Sequence, residues 1–272
     1  MNPSMTRRET LGAAAVIAAG LALPGSAYAD PSMMRTPPAT IPTPQPTIVA
    51  YSPHPDDETL SMGALLATEG VDDWREARTI VVPITAGEAS GARRMLNGVE
   101  RSDWWGGTHE PRWEGYYPLM RHEFGEARLV EQHRAATLLG AYAAPCAGLP
   151  DGGVTIGDAQ LIIARWVWRY PYALHITTSP WDLHPDHRAC AAALRAVAPT
   201  RARWCITPVY HRPLPADLTD TRDTTFRARH AAISYAAWNP PDSYAIGAHS
   251  IGGTWNRLLN HTPTTRWIAV PR

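Results

Sequence analysis

The chain has 272 residues, 44% of them hydrophobic, and its basic and acidic side chains balance to a net charge of zero. This length and hydrophobic content are sufficient for one large domain with a full core. Zero net charge gives no electrostatic support for nucleic acid or an anionic membrane surface as a main partner.

Residues 1–29 are predicted to be a cleaved export signal. Arg7 and Arg8 precede the apolar stretch LGAAAVIAAGLAL, which is short for a membrane span, and a small-x-small pattern ends at Ala29. The segment resembles a twin-arginine signal. We therefore expect an extracellular or cell-wall-associated protein with no stable membrane span after signal removal; an uncleaved anchor is the alternative.

Residues 30–46 form a predicted linker, because six of these seventeen residues are proline. Such a composition favours extended conformations and does not bury enough apolar surface to pack. The predicted domain therefore covers residues 47–272. Three cysteines, Cys146, Cys190 and Cys205, allow at most one disulfide.

Strand and helix patterns alternate after Thr47. The predicted strands are TIVAY, TIVVPIT, ALHITTS and WCITPVY, and the predicted helices are ARLVEQHRAATLLGA and DAQLIIARWVWRY. This alternation indicates an α/β fold, namely a single Rossmann-like domain with a mainly parallel sheet covered by helices on both faces. In such sheets ligands bind beyond the carboxyl ends of the strands.

The tripeptide His-Pro-Asp occurs twice, each time just after a predicted strand. It is found at residues 54–56 and again at 184–186. Proline is favoured at the first helical position, so Pro55 and Pro185 are predicted to start helices with His54 and His184 as N-caps. Both motifs are therefore predicted to lie at strand-to-helix turns, at the edge of the sheet where ligands are expected to bind.

The spacing within these words is typical of metal ligands. His54 and Asp57 are three residues apart and can reach one ion, whereas Asp56 is displaced toward a bound water. His187 occupies the corresponding place in the second word and is the predicted third ligand. Two histidines and one carboxylate leave a position open for water, as in catalytic zinc sites.

These two motifs resemble those of the PIG-L/LmbE-like family of zinc-dependent N-acetylglucosaminyl deacetylases. The resemblance rests on His54-Pro55-Asp56-Asp57-Glu58 followed by His184-Pro185-Asp186-His187. Supporting matches are Thr85-Ala86-Gly87-Glu88, Arg128, Glu131 and Leu139-Gly140. The likeness extends from about residue 47 to residue 211 and carries no firm match beyond it.

The resemblance implies a deacetylase that holds one zinc ion per chain and hydrolyses the N-acetyl amide of an N-acetylglucosamine-containing substrate, and the predicted export signal implies that it is secreted. The resemblance makes His54, Asp57 and His187 the metal ligands and Asp56 the general base. His184, charged and steered by Asp186, would stabilise the oxyanion. Glu58 is expected to act near the helix start or behind the ligands.

Substrate contacts are predicted from an aromatic segment, residues 97–117. Trp104, Trp105 and Trp113 have faces suited to sugar rings, and Arg93 lies just before them. The segment equally suits a lid packed onto its own domain. Two further functional readings stay open, an amidase acting on another acyl-amino sugar conjugate and a non-catalytic metal- or glycan-binding protein. Retention of Asp56 favours catalysis, since metal binding alone has no use for it.

Overall fold

The computed structural model describes residues 46–68, 78–206, 220–223, 226–252, 254–255 and 264–269. The predicted export signal and nearly all of the predicted linker lie outside these residues, as does the end of the strand predicted at 204–210. In the described part of the chain, no helix has the length and apolarity needed to cross a membrane.

A seven-stranded sheet forms the centre of the molecule. Its strands are β1 (Ile48–Ser52), β2 (Thr79–Pro83), β3 (Tyr142–Ala143), β4 (Leu174–Thr178), β5 (Ala202–Cys205), β6 (Asp220–Asp223) and β9 (Thr264–Ala269), in the order β3-β2-β1-β4-β5-β9-β6. The first five positions are parallel, and β9 and β6 add an antiparallel edge. A separate two-stranded sheet pairs β7 (Trp238–Asn239) with β8 (Ser243–Tyr244).

Helices cover both faces of the large sheet. They are α1 (Asp57–Leu60), α2 (Gly63–Thr68), α3 (Ala92–Leu96), α4 (Arg121–Leu138), α5 (Ile156–Arg169), α6 (Pro185–Val197), α7 (Phe226–Ser234) and α8 (Ile246–Ser250). Alternate residues of β1 point to opposite sides: Val49 and Tyr51 pack with α5 and α6, whereas Ile48 and Ala50 pack with α2, α4 and α7. The predicted α/β class with a mainly parallel sheet is therefore confirmed.

The strand order places the two His-Pro-Asp words side by side. From β1 the chain proceeds to β2 and β3 on one side, then crosses to β4 on the other side of β1. Such a reversal opens a crevice at the carboxyl ends of the two central strands. Residue 54 follows β1 and residue 184 follows β4, so both words reach this crevice.

Two boundary predictions need correction. Helix α4 begins at Arg121, six residues before the predicted start, because Glu123 accepts the Met120 N–H at its first turn. Helix α1 begins at Asp57 and not at Pro55, because Asp56 has a φ of 134° that helical geometry does not allow. The start of α6 at Pro185 is as predicted.

All three cysteines are free and buried. Cys190 belongs to the same hydrophobic core cluster as residues of β1 and α5, where it is a small packing residue.

A buried histidine joins β1 to β4. His175 is fully buried, its Nε2 lies 3.0 Å from the Tyr170 carbonyl oxygen and its Nδ1 lies 2.9 Å from the Tyr51 hydroxyl. Nε2–H therefore donates to Tyr170 while Nδ1 accepts from Tyr51, which is the neutral form of the ring. Burial lowers the pKa of His175 to about 4.

We expect this histidine to make the fold acid-sensitive. Above pH ~6.5, the ordinary histidine pKa, the ring is neutral in both the folded and the unfolded chain. As the pH falls from there toward 4, the unfolded chain binds a proton that the folded chain excludes, and stability drops by on the order of 3 kcal/mol. Denaturant unfolding across this window measures the drop. The His175→Asn variant should show a shallower pH dependence, and parallel curves for parent and variant would contradict the assignment.

Candidate active site

The first His-Pro-Asp word is held in a strained turn by buried polar side chains. Asp56 donates its backbone N–H to Glu58 Oε2 at 3.1 Å. Arg128, on α4, donates to the Pro55 carbonyl at 2.5 Å and to Asp56 Oδ2 at 3.0 Å. These contacts hold Asp56 at a φ of 134°, a conformation that non-glycine residues adopt mainly where the surroundings impose it.

Glu58 anchors this turn from behind. It is fully buried, and its two carboxylate oxygens accept hydrogen bonds from five groups. The donors are the hydroxyls of Ser52, Thr59 and Tyr235, the Gln132 amide and the Asp56 backbone N–H. Its place therefore agrees with the expectation that it supports the ligands and is not one of them.

The second word begins α6. His184 is the N-cap, and its Nδ1 accepts the Asp186 N–H at 3.3 Å. This hydrogen bond leaves the proton of the neutral imidazole on Nε2. His187 lies one turn on, at 4% exposure, and its Nδ1 is 2.8 Å from Asp182 Oδ2.

The three predicted metal ligands converge. His54 Nδ1 lies 3.0 Å from His187 Nε2 and 3.4 Å from Asp57 Oδ2, and His187 Nε2 lies 3.1 Å from the same Asp57 oxygen. Ligand atoms about 2.0–2.2 Å from a tetrahedral metal are separated by about 3.3–3.6 Å. The triangle is close to this size, so the three side chains fit one divalent ion.

A carboxylate behind His187 supports this interpretation. Metal-binding histidines commonly donate the other ring N–H to a carboxylate, which fixes the ring orientation. Asp182, fully buried beside Nδ1, has this position. It was not predicted from the sequence, although it lies two residues before His184 in the second word.

The three side chains of the triangle shift one another's pKa values. Burial alone would raise the pKa of Asp57, but the nearby rings of His187 and His54 outweigh it and lower that pKa. Burial likewise opposes protonation of His187, but Asp57 and Asp182 raise its pKa to about 9. A divalent ion must displace histidine protons here, so metal affinity rises with pH.

Asp56 differs from Asp57 although the two are adjacent. Burial raises the pKa of Asp56 to about 7, with Arg128 opposing the rise and Asp57 adding to it. A carboxylate with a pKa near neutrality can both accept and release a proton at physiological pH.

The carboxylate of Asp186 has a different partner from the predicted one. Its Oδ2 lies 3.2 Å from His54 Nε2, and its two oxygens accept the Gly152 and Val154 N–H groups at 2.7 and 3.1 Å. Only its backbone N–H reaches His184. The Asp186 carboxylate therefore orients His54, and not His184 as had been predicted. His184 is oriented by the backbone N–H of Asp186, which it accepts as the N-cap of α6.

Asp151 completes the cluster and was missed in the sequence. Its Oδ1 lies 3.2 Å from His54 Nε2, and its Oδ2 accepts the Ala89 N–H at 2.8 Å. The Leu149-Pro150-Asp151-Gly152-Gly153 stretch has the composition of a turn. Asp151 follows β3 and lies at the same edge of the sheet as the two His-Pro-Asp motifs. This position was the signal that could have identified it as a site residue.

The predicted substrate-binding residues separate into three environments. Trp105 packs its ring between His109 at 4.6 Å and Trp238 at 4.7 Å, and Trp104 lies 4.9 Å from His249. Trp113 is 88% exposed. Arg93 lies partly buried on α3, and no described hydrogen bond or ion pair joins it to the His54 cluster. Substrate contact by these residues stays a prediction.

Comparison with protein families gives a match that covers both His-Pro-Asp motifs. The sequence profile of the family described as GlcNAc-PI de-N-acetylase, PIG-L, matches residues 49–198, more than half of the chain and both His-Pro-Asp words. The chain belongs to the PIG-L family. Comparison with curated proteins finds no match.

Several solved structures with the same fold are deacetylases. One from the teicoplanin biosynthetic pathway is 21% identical, with a TM-score of 0.54, over 81% of this chain and 96% of its own. The A40926 pseudoaglycone deacetylase Dbv21 is 21% identical, with a TM-score of 0.50, over 84% and 100%. The N,N'-diacetylchitobiose deacetylase of Pyrococcus horikoshii is 14% identical, with a TM-score of 0.52, over 82% and 83%. These likenesses establish that the PIG-L chain has their fold.

Proposed function

We propose that this protein is an exported, zinc-dependent deacetylase that hydrolyses the N-acetyl amide of a substrate containing N-acetylglucosamine. Membership of a de-N-acetylase family supports the reaction class. The observation that carries the proposal is the triangle of His54 Nδ1, Asp57 Oδ2 and His187 Nε2, whose sides are 3.0–3.4 Å, next to the buried carboxylate of Asp56.

His54, Asp57 and His187 hold one zinc ion in this proposal. Two imidazoles and one carboxylate are a common ligand set for catalytic zinc, so these residues would suit that ion. When bound, the ion supplies Lewis-acid chemistry, which activates water and polarises an amide carbonyl.

Asp56 acts as the general base. It accepts a proton from the attacking water and passes it to the nitrogen of the leaving amine. Arg128 fixes one of its oxygens, Oδ2, at 3.0 Å, and the tight turn limits its movement. A protein that only bound metal or glycan would have no use for this constrained carboxylate.

His184 stabilises the oxyanion as a neutral donor. Its Nδ1 accepts a backbone N–H, so Nε2–H is available to the developing negative charge. Burial and the neighbouring His54 lower the pKa of His184, which disfavours the charged imidazole expected from the sequence. His184 therefore stabilises the oxyanion through the hydrogen bond that Nε2–H donates, and not through a positive charge.

The substrate is inferred from the relatives and from the predicted export. Proteins of the same fold include deacetylases of a teicoplanin pathway, of an A40926 pseudoaglycone and of N,N'-diacetylchitobiose. An exported enzyme meets cell-wall polymers, chitin-type oligosaccharides and secreted glycosylated metabolites. All three classes can present an N-acetylglucosamine at their surface.

Acetate release from a panel of N-acetylated glycans tests the proposal. The panel should contain chitin oligosaccharides, cell-wall fragments and glucosamine conjugates that carry either acetyl or longer acyl groups. We expect acetate and a free amine from at least one acetylated member. Turnover of the longer acyl conjugates alone would favour the amidase, and glycan binding without any turnover would favour the non-catalytic protein.

The exposed and the packed tryptophans should respond differently to substitution. Trp113→Ala should raise KM for a glycan more than it lowers kcat, because stacking on a non-reacting sugar is largely uniform binding. Trp105→Ala should instead lower the free energy of unfolding by about 2 kcal/mol, because its ring packs between His109 and Trp238. Trp168, 86% exposed on α5, provides the control substitution. If Trp113→Ala has the same KM as the parent, the aromatic segment is a structural lid and does not bind the glycan.

Export is tested at the amino terminus. The mature protein should begin at Asp30 by mass measurement, and replacing Arg7 and Arg8 with lysine should block secretion if the signal is of the twin-arginine type. Normal secretion of the double variant would point to the general secretory route.

A further inference from the structure

The carboxyl-terminal segment, residues 226–250, lies beyond the residues that the family profile matches, yet it reaches the active site. It contains α7, α8 and Tyr235, which directly follows α7. Tyr235 is 1% exposed, and its hydroxyl donates to Glu58 Oε1 at 2.8 Å. Glu58 accepts the Asp56 N–H through its other oxygen, Oε2, at 3.1 Å. Two hydrogen bonds therefore connect Tyr235 to the backbone of the proposed base.

Helix α8 fixes the position of the Tyr235 ring. A Cβ atom added to Gly247 would lie 2.7 Å from Tyr235 Cδ1 and 2.8 Å from Tyr235 Cβ, closer than real Cβ contacts come. Glycine is therefore required for the backbone of α8 to approach the ring in this way. Glu131, buried on α4, holds this backbone in place, because its two oxygens accept the Ile246 and Gly247 N–H groups at 2.8 and 3.2 Å.

Asp56 is consequently held at two points. Arg128 donates to its carboxylate oxygen Oδ2 at 3.0 Å, and Glu58 accepts its backbone N–H. Its φ of 134° is a conformation that persists only where the surroundings impose it. If the support of the backbone weakens, the turn can relax and the carboxylate can move. A displacement of about 1 Å at a reacting group can lower a rate by about a hundredfold.

We propose that Tyr235 is a positioning residue for Asp56, which it acts on through Glu58, and that Gly247 and Glu131 keep Tyr235 in place. The carboxyl-terminal segment is then needed for turnover and does more than cover one face of the sheet. The effect on turnover rests on the proposed function, whereas the effect on the turn does not.

Amide hydrogen exchange tests the effect on the turn without any assay of activity. Tyr235→Phe removes only the hydroxyl, so exchange in peptides covering residues 52–60 of the full chain should quicken by about tenfold. Gly247→Ala keeps the hydroxyl but displaces the ring, and it should have the same effect. Tyr51→Phe is the matched control, because it removes another fully buried hydroxyl, which lies 2.9 Å from His175 Nδ1 and not beside Glu58. It should leave exchange in these peptides unchanged.

Acetate release and metal analysis provide the second readout. Tyr235→Phe and Gly247→Ala should lower kcat by about tenfold or more and keep the KM and the zinc content of the parent, because the metal ligands and the substrate contacts are untouched. A merely structural role would reduce the folded fraction and leave kcat per folded molecule unchanged.

Parent-like exchange or a parent-like kcat in Tyr235→Phe would overturn the inference. A loss of zinc in step with kcat would also overturn it, because Tyr235 would then support the metal ligands and not the base. If Gly247→Ala does not fold, Tyr235→Phe alone decides. If the parent hydrolyses no acetylated glycan, the proposed function fails, while hydrogen exchange still decides whether Tyr235 holds the turn.

Discussion

Asp56→Asn should slow turnover by about a hundredfold to ten-thousandfold while leaving the metal content near that of the parent. Asparagine has the size of aspartate and can still accept the Arg128 hydrogen bond, so the turn and its metal ligands should persist. It cannot accept the proton of the attacking water. Asparagine also tolerates a positive φ better than most residues, which favours a folded variant.

Steady-state kinetics and metal analysis on the same samples separate the two possible roles of Asp56. Asp103→Asn is the matched control, because Asp103 is an exposed aspartate paired loosely with Arg101 at 3.9 Å. If Asp56→Asn loses its metal and added zinc restores the rate, Asp56 is a ligand and not the base.

Single alanine substitutions of His54, Asp57 and His187 should lower metal occupancy and abolish measurable turnover. Each removes one corner of a triangle whose sides are 3.0–3.4 Å, and the two remaining ligands cannot hold a tetrahedral ion tightly. Metal analysis after dialysis at a fixed free zinc concentration measures the occupancy.

His122→Ala is the control for these variants, since it removes an exposed histidine of α4. It should keep the occupancy of the parent. Full occupancy in all three ligand variants would show that the metal, if one is bound, lies elsewhere.

The proposed metal ligands and the proposed base could be predicted because all of them lie in two short sequence motifs. Proline at position 185 starts α6 and makes His184 its N-cap, as expected from helix-capping preferences. Pro55 does not start a helix in the same way. The buried side chains of Arg128 and Glu58 hold Asp56 in a turn there, and such a tertiary constraint has no signal in the local sequence.

The carboxylates that orient the ligands were harder to predict. Asp151 reaches His54 from a loop almost a hundred residues away along the chain, and a Pro-Asp-Gly sequence is also typical of an ordinary turn. The antiparallel edge was missed for another reason. Strand β9 joins the sheet from the far end of the chain, where no motif indicates its partner.

Acetate release by a metal-free sample before and after zinc is added tests the central claim most directly. The substrate should be an N-acetylated oligosaccharide, and zinc should be supplied at one equivalent. The account predicts no turnover without metal, recovery on addition of zinc, and no recovery in His187→Ala. Equal turnover with and without metal, or none from any N-acetylated glycan in the zinc-loaded parent, would contradict it.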